Sequence, residues 1–185
     1  MISPEDGQLL LELARAAIES QFTEEEVDIN GYLHISEKQG VFVTLKKHGA
    51  LRGCMGITQP IYPIYQACIE AATSAAFEDP RFPALTELEL DDIRIDLSLL
   101  SLAEAIQVDD AEDLSSLIKI GKHGLMLKHK NRSALLLPEV ATEQDWTAQQ
   151  FLNHLAQKAG LPFQAWQDKS AKVFRFQTQH ISEPA

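Results

Sequence analysis

Near the start of the chain apolar residues fall at helical spacing, and Leu10, Leu13, Ala14 and Ala17 form one stripe. Ser3 suits an N-cap, Pro4 suits the first helical position, and Glu5 and Asp6 face the positive end of the helix dipole. A helix is therefore predicted from Pro4 to about Ser20, followed by an acidic surface loop from Thr23 to Asp28. From Gly40 to Ile57 the period changes to two. Val41, Val43 and Leu45 alternate with Phe42, Thr44 and Lys46, which is strand behaviour. His48-Gly49 fits a two-residue hairpin turn, since glycine supplies the positive φ required there. The return strand is Ala50 to Ile57. A two-residue turn places Leu45 opposite Arg52 and Val43 opposite Cys54, which puts Arg52 on the apolar face. An unpaired cation there is too costly to stand, so either a bulge moves Arg52 or an acid such as Glu78 or Asp79 meets it.

Pro60 and Pro63 introduce a second helix over about Ile64 to Phe77, with Tyr65, Ile69, Ala72 and Ala76 as its buried stripe. Pro80 and Pro83 end it. Thr86 and Glu89 have capping-box spacing, and Ile93, Ile95, Leu97 and Leu99 alternate with Arg94, Asp96 and Ser98 as a strand. A strand-like stretch from Leu117 to Ile120 precedes a turn at Gly121 to Gly124. Leu125 to Leu127 and Ala134 to Leu137 read as a hairpin across the basic tip at Lys128–Arg132. Thr147 and Gln150 open a third helix with Phe151, Leu152, Leu155 and Ala159 inward, and Gly160 and Pro162 stop it. Val173 to Gln177 reads as a final strand. Interleaved helices and hairpins predict an α+β fold, with mixed or antiparallel sheets and flanking helices.

Composition narrows the function classes. In 185 residues, 45% hydrophobic, the chain carries a net charge of −11. It suits one domain over 1–185, with ends at 1–3 and 179–185 expected to fray. The acidic balance repels phosphate backbones, and the short basic clusters sit at turns, so no nucleic-acid partner is expected. The acidic N-terminus lacks signal-peptide character, and no apolar run approaches the roughly 18–20 residues of a membrane span. A cytoplasmic protein with reduced thiols is expected, because Cys54 and Cys68 cannot form a disulfide scaffold. No spacing points to a metal, and no cofactor motif is present.

Leu51-Arg52-Gly53-Cys54-Met55-Gly56 resembles the signature of the AMME-candidate-region family (AmmeMemoRadiSam system protein A). Residues 75–83 (AAFEDPRFP), 121–125 (GKHGL) and 135–141 (LLLPEVA) strengthen the resemblance in order and spacing, from roughly Asp6 to Gln177. Met55 stands where Ile is usual, a mild apolar swap. The resemblance implies two lobes with a cleft between them. It also implies a pathway shared with a Memo-like protein and a radical-SAM protein. The chain itself lacks the cysteine cluster of the radical enzyme.

The chemistry-bearing candidates break their local patterns. Cys54 lies between Gly53 and Gly56, and strand glycines often mark a bulge or a close backbone approach by a ligand. Arg52 is a candidate anion clamp beside it. Glu78, Asp79 and Arg81 crowd after the second helix, where Phe77 and Phe82 would raise a carboxyl pKa. His123 sits in a glycine-flanked turn, and Glu139 follows Pro138. One reading is an enzyme acting on a small molecule or modified peptide. Cys54 is its nucleophile, Glu78 or His123 carries the proton, and Arg52, Gly53, Asp79, Arg81 and Glu139 bind the ligand. The other reading is a non-catalytic module that binds a ligand or a protein through the same residues. Cys68, on a core-facing helix, is expected to be structural, and both tryptophans to be packing residues.

Overall fold

A computed structural model describes residues 1–23 and 25–184. Glu24 of the expected acidic loop and Ala185 of the expected frayed end lie outside the described residues. In chain order the elements are α1 (Pro4–Glu19), β1 (Gly40–Lys47), β2 (Ala50–Ile57), α2 (Ile64–Phe77), β3 (Ile93–Leu100), β4 (Glu104–Ala105), β5 (Gly124–His129), β6 (Arg132–Leu136), α3 (Pro138–Glu143), α4 (Ala148–Lys158), β7 (Lys172–Phe176) and β8 (Thr178–Ser182). They form two four-stranded sheets, ordered β2-β1-β3-β8 and β4-β7-β5-β6, and the pairings of β1, β2 and β3, and of β4 to β7, are antiparallel. This is the α+β class that the hairpins predict. The chain divides into two compact units, Met1–Leu100 with Gln179–Ala185, and Ser101–Thr178.

In the first unit the alternation does what its period requires. Val41, Val43, Leu45, Ile93, Ile95 and Leu97 are fully buried on one face, against α1 and α2. Each such side chain contributes about 1.5–3 kcal/mol. Ser3 Oγ accepts the Asp6 N–H at 3.0 Å, as the cap reading requires. Helix α2 has the predicted limits but a rotated phase: Ile64, Ala67, Cys68, Ala71, Ala72, Ala75 and Ala76 are buried, and Tyr65 and Ile69 only partly. Its small residues let the helix lie close to both α1 and the sheet. Cys68 is structural, with Sγ 3.4 Å from the Leu10 carbonyl oxygen, and burial pushes its thiol pKa up to about 12.

The hairpin turn has positive φ at both His48 and Gly49, but the predicted register is corrected. Leu45 faces Gly53, Thr44 faces Cys54 and Val43 faces Met55, while Lys46 pairs with Leu51. Arg52 is the extra residue of a β-bulge, and the bulge takes it out of the apolar row.

The C-terminus, expected to fray, continues as β8 beside β3. Contacts link Ile95 with Glu183, Ser98 with His180 and Ser101 with Gln177, so the two strands run antiparallel. Glu183 also receives Arg15 through two bonds of 2.6 Å, and Arg15 binds the Leu90 and Ile93 carbonyls. The second unit therefore leaves the first at the end of β3 and returns at β8.

The second unit has its own core, including Leu125, Leu127, Phe151, Leu152, Leu155 and Val173. The basic tip turns at Lys130, with φ of 53°. The Thr147–Gln150 capping box opens α4, and Gly160 ends it with φ of 71°. Trp166 is buried, and Trp146 stacks on His154 with ring centroids 4.0 Å apart. Two expectations are corrected. Residues 117–120 form no strand: Leu117 ends a 3₁₀ helix over Ala111–Leu117 that Asp110 caps, and Ile118 and Lys119 lead into a turn. Pro138 opens α3, a helix the sequence reading did not include.

Candidate functional site

The two most distinctive sequence segments meet at Cys54. Strand β2 is an edge of its sheet, so the Cys54 N–H and C=O directed away from β1 need partners from elsewhere. Asp79 Oδ2 accepts the Cys54 N–H at 2.8 Å, and Arg81 Nη2 donates to the Cys54 carbonyl at 3.1 Å. These two side chains occupy the place of a further strand. They are also locked to each other: Arg81 Nε and Nη2 reach Asp79 Oδ1 and Oδ2 at 2.9 and 2.7 Å, and Oδ1 accepts the Arg81 N–H at 3.0 Å. Asp79 is only 4% exposed. The Arg81 hydrogen bond and the backbone N–H groups outweigh its burial and hold its pKa well below the ordinary carboxylate range. The raised pKa expected of a carboxyl in this segment is thus corrected for Asp79. Arg81 is the nearby acid's partner, and it also lies over the Phe82 ring at 5.6 Å.

Arg52 is bound up in a different pair. Its Nε and Nη2 meet Glu89 Oε1 and Oε2 at 3.0 Å each, and Nη1 and Nη2 donate to the Pro83 and Ala84 carbonyls. Its side chain is 11% exposed. The acid that meets Arg52 is Glu89, not Glu78 or Asp79. Glu89 also accepts Lys47 Nζ and the Thr86 N–H, and its pKa is driven well below normal, chiefly by Arg52. The capping-box spacing made Glu89 visible in the sequence; its second role was not.

Glycine packing accounts for the rest of the motif. A Cβ at Gly53 would lie 2.1 Å from the Ala75 carbonyl oxygen, and one at Gly56 would lie 2.4 Å from the Phe42 ring. The close approach at Gly53, expected of a ligand, is made instead by α2. Alternation puts Cys54 on the other face of the sheet, in a row with Thr44 and Asp96. Its half-buried Sγ accepts the Thr44 hydroxyl at 3.3 Å. Lys46 pairs with Asp96 at 2.7 Å, and on the next strand Ser98 Oγ lies 3.0 Å from His180 Nδ1. Thr44 was not visible in the sequence, where an unbulged hairpin sets Val43 opposite Cys54; the bulge at Arg52 brings Thr44 there instead.

Glu78 belongs to the helix end. It is exposed, and its carboxylate accepts the Ser74 hydroxyl at 2.7 Å. His123 lies in the second unit and is 6% exposed, not an open loop residue. Its Nδ1 accepts the Lys119 N–H at 3.1 Å. Burial first, and then the positive charges of Arg175, Lys122 and Lys119, lower its pKa. The ring is thus neutral, with its proton on Nε2. Glu139 is half-buried in the first turn of α3. Two grooves in this unit, of about 480 and 360 Å³, contain Trp166 and Val173, and His154 and Phe163, respectively; neither includes His123 or Glu139. Among the described residues no three His, Cys, Asp or Glu side chains gather as a metal site, and no helix is long and apolar enough to cross a membrane.

Comparison with known proteins agrees with these motifs. A family model described as AMMECR1 matches residues 11–181. A protein of Methanothermobacter thermautotrophicus is 40% identical over 98% of this chain and 96% of its own. Protein MK0488 of Methanopyrus kandleri is 41% identical over 97% and 89%. The crystal structure of the uncharacterized protein PH0010 from Pyrococcus horikoshii superimposes with a TM-score of 0.89 at 38% identity, covering 98% of this chain and 93% of that one. Matching over nearly the whole length, in sequence and in fold, the chain belongs to the AMMECR1 family.

Proposed function

We propose that the chain acts on a small molecule or modified peptide through the Cys54 thiol, as nucleophile or covalent holder. The observation that carries this reading is the grip of Asp79 and Arg81 on both backbone groups of Cys54. It fixes one half-buried thiol on an edge strand more firmly than edge pairing alone would. With a carbonyl ligand, Sγ forms the S–C bond, the C=O π pair moves to oxygen, and the thiol proton passes through water to that oxygen. Thr44, donating to Sγ, stabilises the developing thiolate.

Alkylation by iodoacetamide near neutral pH tests this, read by peptide mass analysis. Cys54 should be modified in the folded protein while Cys68 is protected. Labelling of Cys54 only after denaturation would overturn the reading.

A second reading, a non-catalytic binding module, is favoured by one feature. Each arginine near Cys54 is paired with a carboxylate, Arg52 with Glu89 and Arg81 with Asp79, and Sγ accepts from a hydroxyl. In that case Cys54→Ser leaves ligand affinity nearly intact. In either reading the chain works in the cytoplasm, with both thiols free, alongside a Memo-like protein and a radical-SAM protein. The family association supports that partnership. Co-purification of the three, or loss of a shared phenotype on deleting each, is the check.

A further inference from the structure

Two guanidinium groups flank Cys54, and they are in opposite states. Arg52 is closed: Glu89 takes it bidentately, two carbonyls take further N–H groups, and little of it reaches solvent. Arg81 is open. Its Nε and Nη2 are committed to Asp79 and to the Cys54 carbonyl, yet its side chain is 54% exposed. Its other terminal nitrogen, Nη1, takes no part in these bonds. The cation cannot drift, because Asp79 is itself buried and anchored by the Cys54 and Arg81 N–H groups. Its position is therefore set relative to the strand that carries the thiol.

We infer that Arg81 is the anion-recognition residue of the Cys54 site, so that the ligand taken there carries a carboxylate or phosphate next to the group that meets the thiol. The inference rests on the reading of Cys54 as the working group of this site. Asp79 neutralises part of the Arg81 charge, which weakens any long-range pull. The Nη1 hydrogens remain charge-assisted donors at short range, in a geometry suited to an oxyanion. A chain of net charge −11 offers little general attraction to an anion, so recognition falls to such a local donor. After the Asp79 hydrogen bond, the Cys54 charge is among the influences that raise the Arg81 pKa.

The test uses the full chain and two reagents that differ in charge. Iodoacetate is an anion and iodoacetamide is neutral, so the ratio of their rates at Cys54 cancels changes in thiol exposure. At low salt this ratio should exceed that of N-acetylcysteine by about two- to fivefold, the range an exposed ion pair supplies. Arg81→Gln should bring it down to the small-thiol value. Arg81→Lys keeps a partner for Asp79, covers the case in which Arg81→Gln unfolds, and should give a lower ratio than wild type. Inorganic phosphate and acetate should each slow iodoacetate in the wild type, and the more protective of the two names the preferred group. A ratio no higher than that of N-acetylcysteine, or one unchanged by either substitution, overturns the anion site and leaves the Cys54 reading standing. If neither reagent labels folded Cys54, the reading of the thiol fails instead. The anion site is then decided by thermal melting at constant ionic strength. A phosphate-dependent rise in Tm that is lost in Arg81→Lys supports it, and no rise in the wild type overturns it.

Discussion

A methyl group at position 53 would stand 2.1 Å from the Ala75 carbonyl oxygen, whereas one at position 49 would meet nothing within 4 Å. The two glycines thus answer to different physics. Gly53 is required by the contact between α2 and β2, and backbone cannot yield as a side chain can. Gly49 is required by its φ of 81°. Gly53→Ala is expected to cost about 3 kcal/mol or more, at the upper end of overpacking, and Gly49→Ala about 1 kcal/mol; urea denaturation of both variants checks the order. The carboxylates beside them predict an acid response. Asp79 and Glu89 have folded pKa values depressed by Arg81 and Arg52, below unfolded values of about 3.9 and 4.3. Their stabilisation is therefore complete above those values and is lost as pH falls through them towards the folded pKa values. Urea midpoints should decline from about pH 5 downward, and Asp79→Asn or Glu89→Gln should be less stable at neutral pH yet less steep in acid. The sequence showed that Arg52 and Cys54 break their surroundings. It did not show their partners, because Glu89 lies 37 residues from Arg52 and Asp79 lies 25 from Cys54, and no local period records such a meeting.

At the scale of elements, legibility followed locality. Caps and alternation located α1, β1, β2, β3 and α4, since each signal acts within a few residues. Helix α2 was placed correctly but in the wrong phase, because its many alanines make several faces nearly equal and the neighbours decide among them. Residues 117–120 were apolar enough for a strand, but Leu117 closes the 3₁₀ helix that the Asp110 cap opens, and the chain turns again at Lys119–Lys122. Strand β8 was missed because its polar sequence earns its place by contacts made far away. Glu183 is the clearest of these, accepting both Arg15 bonds and the Ile95 N–H. Arg15 has its pKa raised chiefly by that hydrogen bond. Glu183→Ala should cost about 2–3 kcal/mol, the range for hydrogen bonds to charged groups. Hydrogen exchange should show faster amides along β8 while those of β1 keep their protection; uniform loosening of the whole sheet would contradict a local clasp.

For the molecule as a whole, the arrangement of β3 and β8 carries the main consequence. These strands are neighbours in one sheet, and they are also the points where the chain leaves the first unit and returns to it. The first unit is thus a sheet with two helices, closed by an antiparallel pair whose connection happens to be an entire second unit. Its core residues come from α1, α2 and the sheet's inner face, and Asp79, Arg81, Cys54, Arg52 and Glu89 all lie within it. Ser101 and Gln177 form the last rung, with the Ser101 N–H on the Gln177 carbonyl at 2.9 Å. A two-residue turn can close such a rung, and Asn-Gly is well suited to it. Replacing residues 102–176 by Asn-Gly is therefore expected to yield a shorter chain that unfolds cooperatively and keeps helical circular dichroism from α1 and α2. The grip on Cys54 should survive, so Asp79→Asn should destabilise the short chain about as much as the full one. An open, non-cooperative short chain would show that the first unit's core is insufficient alone. A folded one in which Asp79→Asn has no effect would show that the clamp on β2 depends on more than the residues that form it.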